Sequence, residues 1–118
     1  MIPANLDITV YRGDDYVLVF RMKDSVSNTY TDLTSRSGRA QVRASAENAT
    51  VIATFAVTVL DQANPATKGG VQITLTPTIT AALPLTGGVW DVELADVPRS
   101  WVRTPLAGAV IVLPEVTR

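Results

Sequence analysis

A period of two runs through most of this chain. In "LDITVY" (residues 6–11), Leu6, Ile8 and Val10 alternate with Asp7, Thr9 and Tyr11. "YVLVFRM" (16–22) sets Leu18, Phe20 and Met22 on one face and Val17, Val19 and Arg21 on the other. "RAQVRAS" (39–45) sets Ala40, Val42 and Ala44 inward against Arg39, Gln41 and Arg43. The longest apolar run, "TVIATFAVTVLD" (50–61), alternates Ala53, Phe55, Val57 and Val59 with Thr54, Ala56 and Thr58. "VQITLT" (71–76) and "GGVWDVELAD" (87–96) repeat the pattern, with Val71, Ile73, Leu75, Trp90, Val92 and Leu94 on their apolar faces. Successive side chains of a strand point to opposite faces, so each run reads as a half-buried strand. The Thr-rich outer faces suit a pleated sheet and argue against helix.

Two stretches depart from this period. In "PTITAALPL" (77–85), Pro77 opens a helical turn, Ala81, Ala82 and Leu83 favour it, and Pro84 stops it. In "WVRTPLAGAVIVL" (101–113), Pro105 has no N–H for a ladder and Gly108 tolerates a bulge. That final strand is therefore expected at a sheet edge, or kinked there. About seven short strands separated by turn signals predict an all-β fold, an immunoglobulin-like β-sandwich with one short helical turn. Residues 1–118 are expected to form one domain.

Composition excludes several kinds of chemistry. Cys and His are both absent, which removes thiol nucleophiles, thiolate metal sites, and the commonest general base and metal ligand. Ten basic and eleven acidic residues leave a formal charge of -1. That balance supplies no electrostatic footprint for nucleic acid or an anionic membrane, so neither is expected as a partner. "MIPANLD" (1–7) lacks the basic and apolar regions of a signal peptide, and no apolar run reaches the ~20 residues of a membrane span. The product is expected to be made in the cytoplasm and to be soluble.

The tripeptide Arg12-Gly13-Asp14 stands between the first two alternating runs. An adhesion signal or a phosphate loop would use such residues, but a phosphate loop needs a second glycine-rich element, a Lys-Ser/Thr pair and a following helix. A turn accounts for the tripeptide more simply. Gly13 takes positive φ without penalty, and Asp14 can bond its own backbone two residues on. The spacing predicts a tight connection between two strands, with Gly13 and Asp14 as its structural residues.

Asp91 and Glu93 lie two apart on one strand face and could act as an acid–base pair. A solvated strand face produces the same spacing, and no nucleophile accompanies them. Asp14, Asp15 and Asp61 could offer oxygens to calcium, but the spaced calcium-loop motif is missing. Neither a catalytic residue, a cofactor nor a metal is expected. Trp90 aligns with Val92 and Leu94 and reads as core. Trp101 follows a turn and is expected to cap the sandwich end or to contact a partner. Two tryptophans also keep a carbohydrate-binding or adhesion module open as a reading of another class.

The ordered set "ITVYRGDD", "DLT", "RAQVRAS", "ITLTPTITAALP", "VWDVELAD" and "VRTPLAGAVIVLPEVTR" is spread over nearly the whole span of the chain. It resembles the immunoglobulin-like N-terminal domain of siphophage upper baseplate proteins and similar small virion proteins of tailed bacteriophages. The residues that carry the resemblance are Arg12, Gly13 and Asp14; Asp32, Leu33 and Thr34; Thr80, Leu83 and Pro84; Trp90 and Asp91; Arg103, Thr104 and Gly108. Pro105 departs from the pattern, where an aliphatic residue is expected. The resemblance implies a non-enzymatic virion structural protein, located in the virion after synthesis in the host cytoplasm. Its expected role is an adaptor or building block in the tail, baseplate, neck or fibre attachment region, with a capsid decoration protein as the alternative. The chain is expected to be a complete block without a receptor-binding tip. Other virion proteins would be its partners, in a symmetric homo-oligomer or in multiple copies. The residues expected at such an interface are Met1, Ile2, Pro3, Trp101, Pro105, Pro114, Val116 and Arg118.

Overall fold

The computed structural model of the chain describes residues 2–117. Met1 and Arg118, both expected at an interface, lie outside the described residues. Ten strands form: β1 (Ala4–Asn5), β2 (Ile8–Tyr11), β3 (Tyr16–Arg21), β4 (Lys23–Asp24), β5 (Thr29–Tyr30), β6 (Ser37–Arg43), β7 (Ala53–Val59), β8 (Gly70–Leu75), β9 (Gly88–Ala95) and β10 (Val102–Leu113). Three of them are only two residues long, which leaves the longer strands that alternation predicts. Among the described residues one helix forms, α1 (Pro77–Ala81), which starts at Pro77 behind a Thr76 cap whose hydroxyl accepts the Ile79 N–H.

The fold is an all-β, immunoglobulin-like sandwich. The strand path runs β1–β10–β9–β6–β7–β8–β3, with β2 also paired to β10. One strand serves both layers. Ala53, Thr54 and Phe55 of β7 pair with β6, while residues 56–59 pair with β8. Where the sheet folds over at this strand, Gly38 of β6 leaves room for side chains from both layers. A Cβ there would meet Val57 Cγ1 at 2.6 Å and Leu94 Cδ2 at 2.8 Å, so both side chains close over the glycine. The layer β7–β8–β3 thus faces the layer β6–β9–β10–β2. Between them Leu33, Val42, Val71, Ile73, Leu75, Val92 and Leu94 are buried. Phe55 and Trp90, both from the β6 layer, meet within the core with ring centroids 5.9 Å apart and planes tilted by 52°, a favoured tilted geometry.

Three expectations are corrected. Residues 12–15 do not close a hairpin: β2 pairs in parallel with β10, whereas β3 pairs with β8 in the other layer. The turn therefore carries the chain between layers. The final strand is an edge only over residues 102–105: β1 and β2 lie along one side of it from Leu106 to Leu113, and β9 lies along the other. The expected kink is present, because Pro105 makes a bulge. Arg103 pairs with Leu94 and Leu106 with Val92, so Thr104 and Pro105 together oppose Glu93, and Pro105 is buried. Finally, Ala44 and Leu6 are exposed. Ala44 falls just past the end of β6, and Leu6 lies in the gap between β1 and β2.

That gap is built by close approach. A Cβ on Gly108 would meet the Leu6 carbonyl oxygen at 2.1 Å. With glycine there, the first segment passes directly over β10, and three polar contacts fix it. Leu6 N–H donates to the Ala107 carbonyl at 2.9 Å, Ala109 N–H donates to Asp7 Oδ1 at 2.9 Å, and Trp90 Nε1–H donates to the Leu6 carbonyl at 2.9 Å.

Candidate functional site

The outer face of β6 and β9 gathers the charged residues Arg39, Arg43, Asp91 and Glu93. Antiparallel register sets Arg39 opposite Glu93, Gln41 opposite Asp91 and Arg43 opposite Val89. Glu93 accepts from Arg39 at 3.1 Å and from Arg99 at 2.6 Å through one carboxylate oxygen. The Arg99 hydrogen bond chiefly holds its carboxyl below the usual range, against partial burial. Asp91 moves the other way, raised first by partial burial and then by the Glu93 charge. Arg43 does not pair with it, since its guanidinium donates to the Asn48 carbonyl at 2.9 Å and to Gln41 Oε1 at 3.0 Å. The two carboxylates do share a face, as the spacing predicts. Yet Glu93 is held as a structural ion by Arg39 and Arg99, and among the described residues no hydroxyl or amine donates to either carboxylate.

Beside them lies a groove of about 580 Å³, bounded by Pro3, Asn5 and Asp7 on one side and by Gln41, Arg43 and Asp91 on the other. Trp90 contributes to its floor but is only 3% exposed, so it offers no ring face for stacking. Trp101 is half-buried, and the guanidinium groups of Arg36 and Arg103 lie 4.6 and 5.0 Å from its ring centroid. These cation–π contacts occupy the ring that a sugar would need. The Trp101 N–H donates to Asp96 Oδ1 at 2.8 Å, which is the first reason the Asp96 carboxyl sits below its ordinary range. Trp101 closes the β9–β10 turn.

Arg12, Gly13 and the Asp14 backbone are tied into the fold, while the Asp14 side chain is exposed. Asp14 N–H donates to the Tyr11 carbonyl at 3.2 Å and Gly13 has φ +87°, which places glycine at the third position of a turn that demands positive φ. Arg12 donates through Nε and a terminal nitrogen to the Ala81 carbonyl at 3.2 and 2.7 Å, at the end of α1. The Gly13 N–H donates to Thr80 Oγ1 at 3.0 Å, and the Thr80 hydroxyl lies 2.7 Å from the Asp14 carbonyl. Thr80 is fully buried. The Asp-Leu-Thr motif is likewise structural: Asp32 Oδ1 accepts the Thr34 hydroxyl at 2.6 Å and the Thr34 N–H at 2.9 Å, while Leu33 is buried.

Sequence reading missed the residue that ties this loop down. Gln62 Oε1 accepts the N–H groups of Leu33 and Gly69, each at 2.9 Å, and its Nε2 donates to the Leu60 carbonyl at 2.7 Å. Its only signal was a polar residue in a loop, which is no signal. Of the expected interface residues, Ile2 and Val116 are 93% and 95% exposed. Pro114 is exposed and Pro3 half-buried. Trp101 lies at the opposite end of β10 from Pro114, so these residues do not form one patch. Among the described residues no three Asp or Glu side chains converge as a metal site, and no helix is long and apolar enough to cross a membrane. No model of a known protein family matches the chain, and no curated protein matches it.

Proposed function

We propose that this protein is a structural component of a tailed-phage virion, an adaptor or building block that acts by binding other virion subunits. The observation that carries the reading is the use to which the motif residues are put. Arg12, Gly13, Asp32, Thr80, Trp90 and Gly108 all join distant parts of the chain or form its turns. They specify a rigid scaffold rather than a reactive centre, and they are the residues on which the resemblance to siphophage baseplate domains rests. A sandwich so braced offers surfaces and strand edges for association. A sugar-binding module would need an accessible aromatic platform, and both tryptophans are engaged, Trp90 by the core and Trp101 by two arginines.

Fractionation of purified particles tests the proposal. Antibody detection of the protein in separated tails supports the adaptor role. Detection in emptied capsids alone transfers it to capsid decoration. Its absence from every particle fraction overturns the virion reading.

A further inference from the structure

The two ends of the sheet path differ. At one end β1 and β2 form a broken margin, interrupted at Leu6 and Asp7. At the other, β3 runs unbroken for six residues, and no described residue pairs with its outer side. Natural edges are blunted by proline, lysine, bulges or very short strands. Residues 16–20 have none of these devices, and Val17 and Val19 are 53% and 52% exposed.

Hydrogen-bond parity shows what this edge offers. Met22 N–H donates to the Gly69 carbonyl, in the same register that pairs Phe20 with Val71 and Leu18 with Ile73. Even-numbered residues therefore bond to β8, and Val17, Val19 and Arg21 direct their backbone groups outward. The charges at its ends are opposite: Asp14 and Asp15 precede β3, Arg21 ends it, and Lys23 follows. Two copies laid antiparallel about a two-fold axis at Leu18 set Asp15 opposite Arg21 and Val17 opposite Val19, twice over by symmetry. In that register Val17 pairs with Val19 through outward backbone groups on both copies, and Arg21 presents its own outward toward Asp15. Arg21 already donates to Lys68 and Pro65 carbonyls through Nε and one terminal nitrogen, which leaves its other terminal nitrogen for the partner's Asp15.

We propose that β3 pairs antiparallel with β3 of a second copy, with Leu18 on the two-fold axis, joining two β7–β8–β3 layers into one continuous sheet. The outer face of the joined sheet carries Val17, Val19, Gln72, Thr74, Ala56 and Thr58, with the charged Arg21 at the end of each β3. The inference rests on the fold and not on the virion reading.

Purified protein tests it by sedimentation equilibrium and by oxidative cross-linking. Wild type is expected to show a monomer–dimer equilibrium. Asp15→Lys, which places like charges opposite each other at both ends, weakens it about tenfold or more. Val19→Pro removes an outward N–H and abolishes it, with the far-ultraviolet spectrum retained. The chain has no cysteine, so Leu18→Cys gives a clean readout. A non-hydrogen-bonded pair on the axis brings the two Cα atoms to about 4.5 Å, within disulfide reach, and a covalent dimer is expected on oxidation. A strictly monomeric wild type overturns the proposal, as does a dimer that Asp15→Lys leaves unchanged or a Leu18→Cys chain that does not cross-link.

Discussion

The Gly13 amide donates to the hydroxyl of Thr80, 67 residues away, at 3.0 Å. This bond seats the inter-layer turn on the helical turn, and the same hydroxyl reaches the Asp14 carbonyl. Thr80→Val keeps the side-chain volume but leaves the Gly13 N–H and Asp14 carbonyl without their partner. Stability in urea is expected to fall by about 1–3 kcal/mol. Gly13→Ala forces a Cβ onto φ +87° and should cost about 1 kcal/mol or more. Asp14→Ala, whose side chain is exposed, should leave the midpoint almost unmoved. Equal stability of all three variants would reopen a ligand role for the tripeptide.

Gly108 controls the first strands. In Gly108→Ala the new methyl meets the Leu6 backbone oxygen, so the N-terminal segment must lift away from β10. Strain and lost pairing are expected to cost about 1–3 kcal/mol. Amide exchange should accelerate at residues 8–11 more than in β8. Asp7→Ala, which frees the Ala109 N–H, should accelerate the same amides less strongly. Uniform acceleration across the sandwich would show that Gly108 matters to the global fold and not to this seam.

Much of this architecture was legible in sequence, and its gaps have definite causes. Alternation identified β7 through Ala53, Phe55, Val57 and Val59, because burial of one face imposes a period of two. It could not show that residues 53–55 belong to one layer and 56–59 to the other, since pairing partners leave no periodic trace. Pairing of β2 with β10 joins residues 102 apart, for example Ile8 with Val110. A glycine at 108 signals bulge tolerance in sequence, whereas in the fold it lets another backbone pass. Asp91 and Glu93 were correctly placed on one face, but the Arg99 contact that fixes Glu93 comes from a turn.

Gln62 is expected to be a concealed anchor. Gln62→Ala removes the acceptor for two backbone amides, Leu33 and Gly69. A loss of about 1–3 kcal/mol is expected, together with faster amide exchange at Leu33. Gln62→Glu keeps an acceptor oxygen and should retain more stability than alanine. Indistinguishable alanine and glutamate variants would remove the anchoring role.

The two strand carboxylates should pull the pH dependence in opposite directions. Glu93 has its pKa lowered in the fold, chiefly by Arg99. Its contribution is present above the ordinary Glu range and lost as pH falls through the folded value. Screening keeps it near 0.2–1 kcal/mol, about the worth of a surface pair. Asp91 has its pKa raised by burial, so stability is lost as pH rises from the ordinary Asp range through the folded value. Glu93→Gln should shallow the acid limb of a stability–pH curve, and Asp91→Asn should raise stability at neutral pH. Opposite signs would contradict the described carboxylate environments.

Copy number per particle tests the central functional claim most directly. Absolute quantification of this protein in purified virions, by mass spectrometry against isotope-labelled peptides, gives the number. A fixed stoichiometry in the tens is predicted, as for an assembly with cyclic symmetry in the tail or neck. Hundreds of copies would assign it to the capsid shell, and none at all would contradict the claim that it is a virion building block.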